Sequence, residues 1–234
     1  MPETLIKEPE MGPSVTVSNG IYAKYIKRML DFILSLCAIV VLSPILLVLT
    51  VIGAIVMKGK PFFVQERPGK IDSKTGEEKI FKLIKFRTMT CEKDKDGKLL
   101  PDEERLTKYG NFIRHTSLDE LPELFNILVG NMSIVGPRPL LVEYIPRYSP
   151  EQRRRHLIRP GLTGYAQAYG RNLLTWDEKF KKDTYYVDNV SFMLDAKIIV
   201  HTVLAVLKVE GISSETSSTM EVFLGNERKE NVDA

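Results

Sequence analysis

Cysteine is scarce in this chain: Cys37 and Cys91 are the only two among 234 residues. A disulfide-stapled scaffold is therefore excluded, and a reducing compartment is implied. Histidine is equally sparse. His115, His156 and His201 stand in unrelated contexts without the spacing of a metal-ligand set. No P-loop, GxGxxG fingerprint or nucleophile elbow occurs, so P-loop kinase, Rossmann and serine hydrolase readings lack support. An excess of one charge sign is also missing. The 33 Lys+Arg against 30 Asp+Glu leave a net +3, too weak to imply a nucleic-acid partner. With 44% hydrophobic and 27% charged residues, disordered and fibrous classes are excluded. The length allows one domain with a real core and an appendage.

What is present contradicts the soluble impression that a mean hydropathy of −0.10 gives. Residues 32–57 contain no charge over about 26 positions, well past the ~18 that point to a membrane helix. A signal peptide is disfavoured, because the run starts far from the first residue and lacks a small-residue cleavage site. A buried core helix is the bland alternative and a plain spanning helix the serious one. Two features favour a bent, re-entrant helix instead. Ser43-Pro44 sits mid-run, where proline removes an N–H and breaks the helix into arms too short to cross a ~30 Å core. Basic residues also flank both ends, Lys24, Lys27 and Arg28 before and Lys58 and Lys60 after, so both ends prefer the cytoplasmic side.

The rest divides as a polar tail (1–20), the membrane segment (21–60), a globular domain (61–209) and a Ser/Thr-rich, loosely held C-terminal tail (210–234). Short strands are expected near 62–64 and 80–86, around a polar loop with Gly69 and Gly76. A helix is expected over 121–128 with Pro122 in its first turn. Capping boxes at Ser149 and Thr175 start two more helices, and 196–209 is a strongly apolar one. Glu92, Asp94, Asp96, Gly97 and Glu103 fall at EF-hand positions, but Pro101 stands where the exiting helix should begin; this reads as a solvated loop.

Chemistry concentrates in Arg114-His115-Thr116-Ser117-Leu118-Asp119-Glu120-Leu121-Pro122. Two adjacent carboxylates at a helix N-terminus suit the dipole, which favours their ionised form, and an ionised Asp can act as nucleophile or metal ligand. Ser117-Leu118-Asp119-Glu120 is also a capping box, so a purely structural role competes. The neighbourhood favours chemistry. Arg138, Arg159 and Arg171 each sit in a Gly-, Pro- or Asn-containing loop that can hold a guanidinium for phosphate, and Lys85 and Arg87 add charge at a strand end. Together they point to a polyphosphate substrate with Mg²⁺. A basic run at 144–159, with Arg147, Arg153, Arg154, Arg155 and His156, reads as a solvated face or as a contact for anionic headgroups.

Lys85-Phe86-Arg87-Thr88-Met89, then Ser117-Leu118-Asp119-Glu120-Leu121-Pro122-Glu123-Leu124-Phe125-Asn126, then Met132-Ser133-Ile134-Val135-Gly136-Pro137-Arg138-Pro139, then Arg159-Pro160-Gly161-Leu162-Thr163-Gly164 resembles the bacterial sugar transferases in motif and order. These are the monotopic phosphoglycosyl transferases, and the short length is similar to their minimal form. The resemblance implies an α+β, predominantly helical fold with a small β element. It comprises an N-terminal re-entrant, Pro-broken membrane helix and a cytoplasmic globular domain with membrane-surface amphipathic helices. It implies transfer of a phosphosugar from a UDP-sugar to undecaprenyl phosphate with release of UMP, at the bacterial inner membrane. By the same resemblance Asp119 is the nucleophile that carries a covalent phosphosugar and Glu120 its partner. Mg²⁺ is held at the pair, Arg114 and Arg138 bind phosphate, and Ser43-Pro44 matches the family's helix break. Neither donor sugar nor oligomeric state is legible. Two other readings stay open: a non-catalytic membrane anchor in which Asp119-Glu120 only caps a helix, and a peripheral lipid-binding protein driven by the basic run.

Overall fold

A computed structural model describes residues 20–170, 174–207 and 222–225. Its first element is continuous: a π-helical turn, Tyr22–Ile26, leads into α1, Lys27–Val56. The helix is long and apolar enough to cross a membrane, and most of its apolar residues are uncovered. Val41 and Ile55 are each 74% exposed, which rules out the buried core helix. Pro44 lies inside it and cannot donate to the Val40 carbonyl one turn back. The Ser43 hydroxyl takes over that carbonyl at 2.8 Å, and the helix runs unbroken from Lys27 to Val56 instead of dividing into two arms at Pro44 as the sequence suggests.

One stripe of α1 is docked along its whole length. Arg28 donates to the Ile127 and Leu128 carbonyls at 2.7 and 2.8 Å, satisfying groups that the end of a helix leaves open. Buried Asp31 accepts the Ile134 N–H at 2.9 Å. Before Pro44, Ala38, Ile39 and Leu42 pack on a core of Phe81, Leu83, Leu124, Ile127 and Met132. After it, Leu46 and Leu49 pack on Phe86 and Ile113. Tyr109 closes the far arm, its hydroxyl donating to the Leu49 carbonyl at 3.0 Å.

The hairpin β1 (Phe62–Ile71) and β2 (Glu78–Phe86) is antiparallel, with Phe62 opposite Phe86 and Val64 opposite Ile84. Period-two alternation in β2 buries Phe81 and Leu83 toward α1 and leaves Lys82 outside. Both strands run longer than the sequence suggests, and Gly69 belongs to β1; only Gly76 makes the turn, at φ +71°. The acidic stretch that follows holds the short α2, Asp102–Arg105. Asp94 there accepts the N–H groups of Asp96 and Lys98, a turn role.

Helices α3 (Lys108–His115) and α4 (Glu123–Leu128) flank a 3-10 turn at Leu118–Glu120. A parallel pair, β3 (Ser133–Val135) and β4 (Gly161–Thr163), is a feature the sequence reading missed. It is made of the Gly-Pro motifs themselves: Gly136 N–H donates to the Thr163 carbonyl and Gly161 N–H to the Pro137 carbonyl. A β-carbon on Gly161 would lie 2.1 Å from the Gly136 nitrogen, so the two glycines are required by mutual approach.

The remaining helices are α5 (Pro150–Arg153), α6 (Tyr165–Ala168), α7 (Trp176–Asp188) and α8 (Phe192–Leu207). Both capping boxes form, at Ser149 and Thr175. The basic run at 144–159 is not a simple solvated face. It is broken into 3-10, α and 3-10 turns; Arg147 and Arg159 donate to the Phe223 and Gly130 carbonyls, and the three arginines between them point at acids. Arg153 is paired with Glu78, Arg154 with Glu151 and Asp188, and Arg155, 2% exposed, with Asp183. These acids come from distant segments, which local charge patterning does not reveal. Part of the C-terminal tail is also fixed: Phe223, 3% exposed, completes an aromatic cluster with Tyr144 and Phe180.

Candidate active site

Asp119 and Glu120 are presented by the turn between α3 and α4. Thr116 closes α3, and Ser117 then takes a left-handed conformation, φ +56° and ψ 17°. That reversal redirects the chain into the Leu118–Glu120 turn. Ser117 makes no capping bond, so the capping-box reading of the quartet is overturned. The turn has three residues, too short for a helix macrodipole to govern its carboxylates; close charges and burial do so instead.

Glu120 is the anchor. Its Oε1 accepts from Lys85 Nζ at 2.7 Å and from Arg138 Nη2 at 2.8 Å. Burial alone would raise its pKa, but the Arg138 guanidinium and the Lys85 ammonium hold the carboxyl well below its ordinary range. Lys85 also reaches Glu123 at 3.1 Å. Burial pushes Glu123 up to about 7, and the Glu120 charge adds to this. Asp119 differs from both, since none of its oxygens has a hydrogen-bond partner among the described residues. Burial and the Glu120 charge raise its carboxyl to about 6, against the pull of Lys85, Arg138 and Arg114. Expected dipole stabilisation of the ionised pair is thus corrected: Glu120 is held ionised by cations, and Asp119 is held near the point where it loses its proton.

Of the residues singled out in the sequence, the fold gathers Lys85, Arg114 and Arg138 around the pair. Arg138 keeps 45% of its side chain accessible while bonded to Glu120, so it can meet a second anion. Arg155 fixes the Arg138 loop from behind, donating to the Arg138 carbonyl at 2.6 Å. Arg87 is turned to the Cys91 sulfur, and Arg159 donates to the Gly130 carbonyl beside Arg28, so neither is shown at the pair. Arg171 lies outside the described residues. Two participants escaped the sequence reading. Glu123 follows Glu120 by three residues, one helical turn, a spacing that could have revealed it. Arg67 lies beside Arg138 and donates to the Pro139 carbonyl; burial and the Arg138 charge lower it to about 10. Only tertiary contact brings it there.

The pattern of bacterial sugar transferases matches residues 22–209, which contain both the long apolar helix and this site. The chain belongs to the bacterial sugar transferase family. It is 48% identical over 206 residues to an uncharacterized sugar transferase, EpsL, of Bacillus subtilis, covering 86% of this chain and 96% of that protein. It is 38% identical over 196 residues to a UDP-glucose:undecaprenyl-phosphate glucose-1-phosphate transferase of Klebsiella pneumoniae. An undecaprenyl-phosphate galactose phosphotransferase of Salmonella typhimurium is 33% identical over 208 residues. The chain spans 40% and 42% of the lengths of these two family members, so their names describe larger proteins.

Proposed function

We propose that this sugar transferase moves a sugar 1-phosphate from a UDP-sugar to undecaprenyl phosphate in two steps through Asp119. The observation that carries the reading is the Asp119 carboxylate: half-enclosed, unpartnered among the described residues and surrounded by Lys85, Arg114 and Arg138. In the first step an Asp119 oxygen attacks the β-phosphorus of the donor. The bond from that phosphorus to the bridging oxygen breaks, and UMP departs with the electron pair. In the second step a phosphate oxygen of undecaprenyl phosphate attacks the same phosphorus. The Asp119 O–P bond breaks, the carboxylate returns, and the product is a polyprenyl diphosphate sugar. Charge neutralisation is the main demand of such transfers, and the arginines and Lys85 meet it. Glu120 tethers two of those cations beside the reacting phosphate and raises the Asp119 proton affinity, which strengthens it as a nucleophile.

The donor set also fits Mg²⁺, which is typically held by one or two carboxylates together with substrate phosphates. Among the described residues Asp119 has both oxygens open, and the hydrogen bonds to Glu120 fall on Oε1 alone. These two residues would hold the ion, which would offset diphosphate charge.

The membrane segment is read as re-entrant, with the domain on the cytoplasmic face of the bacterial inner membrane. Support comes from one body packing on both arms of α1, at Ala38 to Leu42 before Pro44 and at Leu46 and Leu49 after it. Cysteines placed at Lys24 and Lys58 are expected to label from the same side; labelling from opposite sides overturns this. The helix α8 adds an exposed apolar face, with Phe192, Met193 and Val200, suited to lie on the same surface. For the chemistry, a panel of UDP-sugars with undecaprenyl phosphate and Mg²⁺ is expected to give UMP release with at least one donor. Asp119→Asn is expected to abolish it in a folded protein; full turnover in that variant removes the nucleophile. A mere anchor is disfavoured by the missing cap at Ser117. A peripheral lipid binder driven by the 144–159 run is disfavoured by the internal pairing of its arginines.

A further inference from the structure

Away from Asp119, the start of α1 forms one wall of two adjoining spaces. The smaller, about 50 Å³, is lined by Lys27, Arg28, Asp31, Lys70, Ser133 and Arg159 among others. The larger, about 280 Å³, lies between α1 and α8; its lining is mostly apolar, with Leu30, Leu34, Phe192, Ile199 and Val200, and carries Asp195 at its polar end. Lys27 and Asp31 border both, so the polar space and the apolar one share a wall.

The polar space has two features that its own residues leave unbalanced. Lys27 is neutralised by Asp195 at 2.7 Å, but Arg28, Lys70 and Arg159 face a single carboxylate, Asp31. Asp31 Oδ1 in turn accepts the Ile134 N–H. Arg28 and Arg159 are anchored on carbonyl oxygens rather than acids. Two of these cations depress a neighbour: Lys70 is lowered by burial and Arg159, and Arg159 by burial and Arg28. The second feature is Ser133. It is 1% exposed, it lines this space, and its Oγ has no hydrogen-bond partner among the described residues. A buried hydroxyl without a partner is unfavourable unless something absent from the polypeptide completes it. An anion answers both features at once. A cavity of this size holds about one phosphate group or three to four waters.

The adjoining groove says what kind of anion. It opens between two helices whose outer faces are apolar and uncovered, and Phe192 and Val200, 60% and 56% exposed, belong to both groove and surface. The cation cluster stands immediately before the charge-free run that begins at Phe32, the level at which headgroups meet hydrocarbon if that run is embedded. We propose that this composite site binds a resident anionic glycerophospholipid, its phosphodiester against Arg28, Lys70, Arg159 and the Ser133 hydroxyl, and one acyl chain along the groove. The acceptor polyprenyl phosphate is a different ligand, because its phosphate must meet Asp119, whose cations are Lys85, Arg114 and Arg138. The inference does not rest on the transfer reaction.

The test uses the full chain, delipidated in detergent and examined by native mass spectrometry with phosphatidylglycerol, phosphatidylcholine or undecaprenyl phosphate added in turn. Phosphatidylglycerol is expected to be retained at one per chain, about tenfold more tightly than net-neutral phosphatidylcholine. Ser133→Ala and Lys70→Ala are each expected to weaken that retention about five- to tenfold. Ser133→Ala is also expected to leave the lipid-free melting temperature unchanged or higher, since it removes an unpartnered hydroxyl; this separates lost binding from lost folding. Equal retention of the two phospholipids overturns the proposal, as does unchanged binding by Ser133→Ala, which marks the space as a water site. Displacement of phosphatidylglycerol by equimolar undecaprenyl phosphate overturns it too, by assigning the site to the acceptor.

Discussion

The carboxyl groups of three neighbouring residues divide the work because their surroundings differ, not their chemistry. Glu120 touches two cations, Glu123 shares one of them in a dry setting, and Asp119 is bonded to none among the described residues. With its carboxyl raised to about 6 by burial and by Glu120, Asp119 is mostly ionised at neutral pH and mostly protonated at pH 5. If Asp119 is the nucleophile, kcat/KM for UMP release falls about tenfold per pH unit below 6. The loss precedes acid unfolding. Glu78, lowered to about 2 against burial by His156 and Arg153, contributes stability that is complete above its ordinary 4.5 and lost only as pH falls toward 2. Asp119 has the opposite sign: its raised pKa favours the native state as pH falls from 6 toward 3.8. A pH–rate profile beside circular dichroism at pH 5 checks this. A rate that stays flat to pH 5, with substrate below KM, contradicts the assigned titration.

Among the elements, those whose determinants are local were legible in sequence. The capping boxes at Ser149 and Thr175 use side chains three residues apart, and both form. The quartet at Ser117 has the same letters and no cap, because the chain must reverse there and Ser117 is left-handed. The parallel pair β3 and β4 was illegible for another reason. Strands of three residues carry no period, and what joins them is close approach at Gly136 and Gly161. In α1 the informative letters are Ser43 and Pro44. Pro44 leaves the Val40 carbonyl without its helical donor, and the Ser43 hydroxyl supplies one at 2.8 Å. In apolar surroundings Ser43→Ala should therefore cost about 1–2 kcal/mol. The same change in a Pro44→Ala background should cost almost nothing, since the restored N–H takes the carbonyl. A double-mutant cycle on detergent-solubilised protein measures the coupling, and additive effects would remove the pairing.

Across the whole molecule, the candidate site was legible as far as the family's motifs carried it, and the residues packed behind it were not. Asp119, Glu120, Lys85, Arg114 and Arg138 come from three separate stretches of sequence, yet nothing local says that Arg155 stands behind them. That residue looked like part of a charged surface. In the fold it is 2% exposed, bonded to Asp183 at 2.8 and 3.1 Å and to the Arg138 carbonyl at 2.6 Å. It thus joins α7 to the loop that brings Arg138 to Glu120. The two functions of Arg155 can be separated. Breaking the ion pair by Asp183→Leu leaves a buried guanidinium unpaired and should cost about 3–5 kcal/mol. Replacing both partners, Arg155→Met with Asp183→Leu, removes the two charges together and should return most of that stability. It does not return a donor to the Arg138 carbonyl. The double variant is therefore expected to unfold in denaturant near the wild-type midpoint, while UMP release stays about tenfold or more below wild type, from misplacement of Arg138. Recovery of both stability and rate would show that Arg155 serves packing alone. Failure of both to recover would show that the pair itself, rather than the absence of an unpaired charge, holds α7 in place.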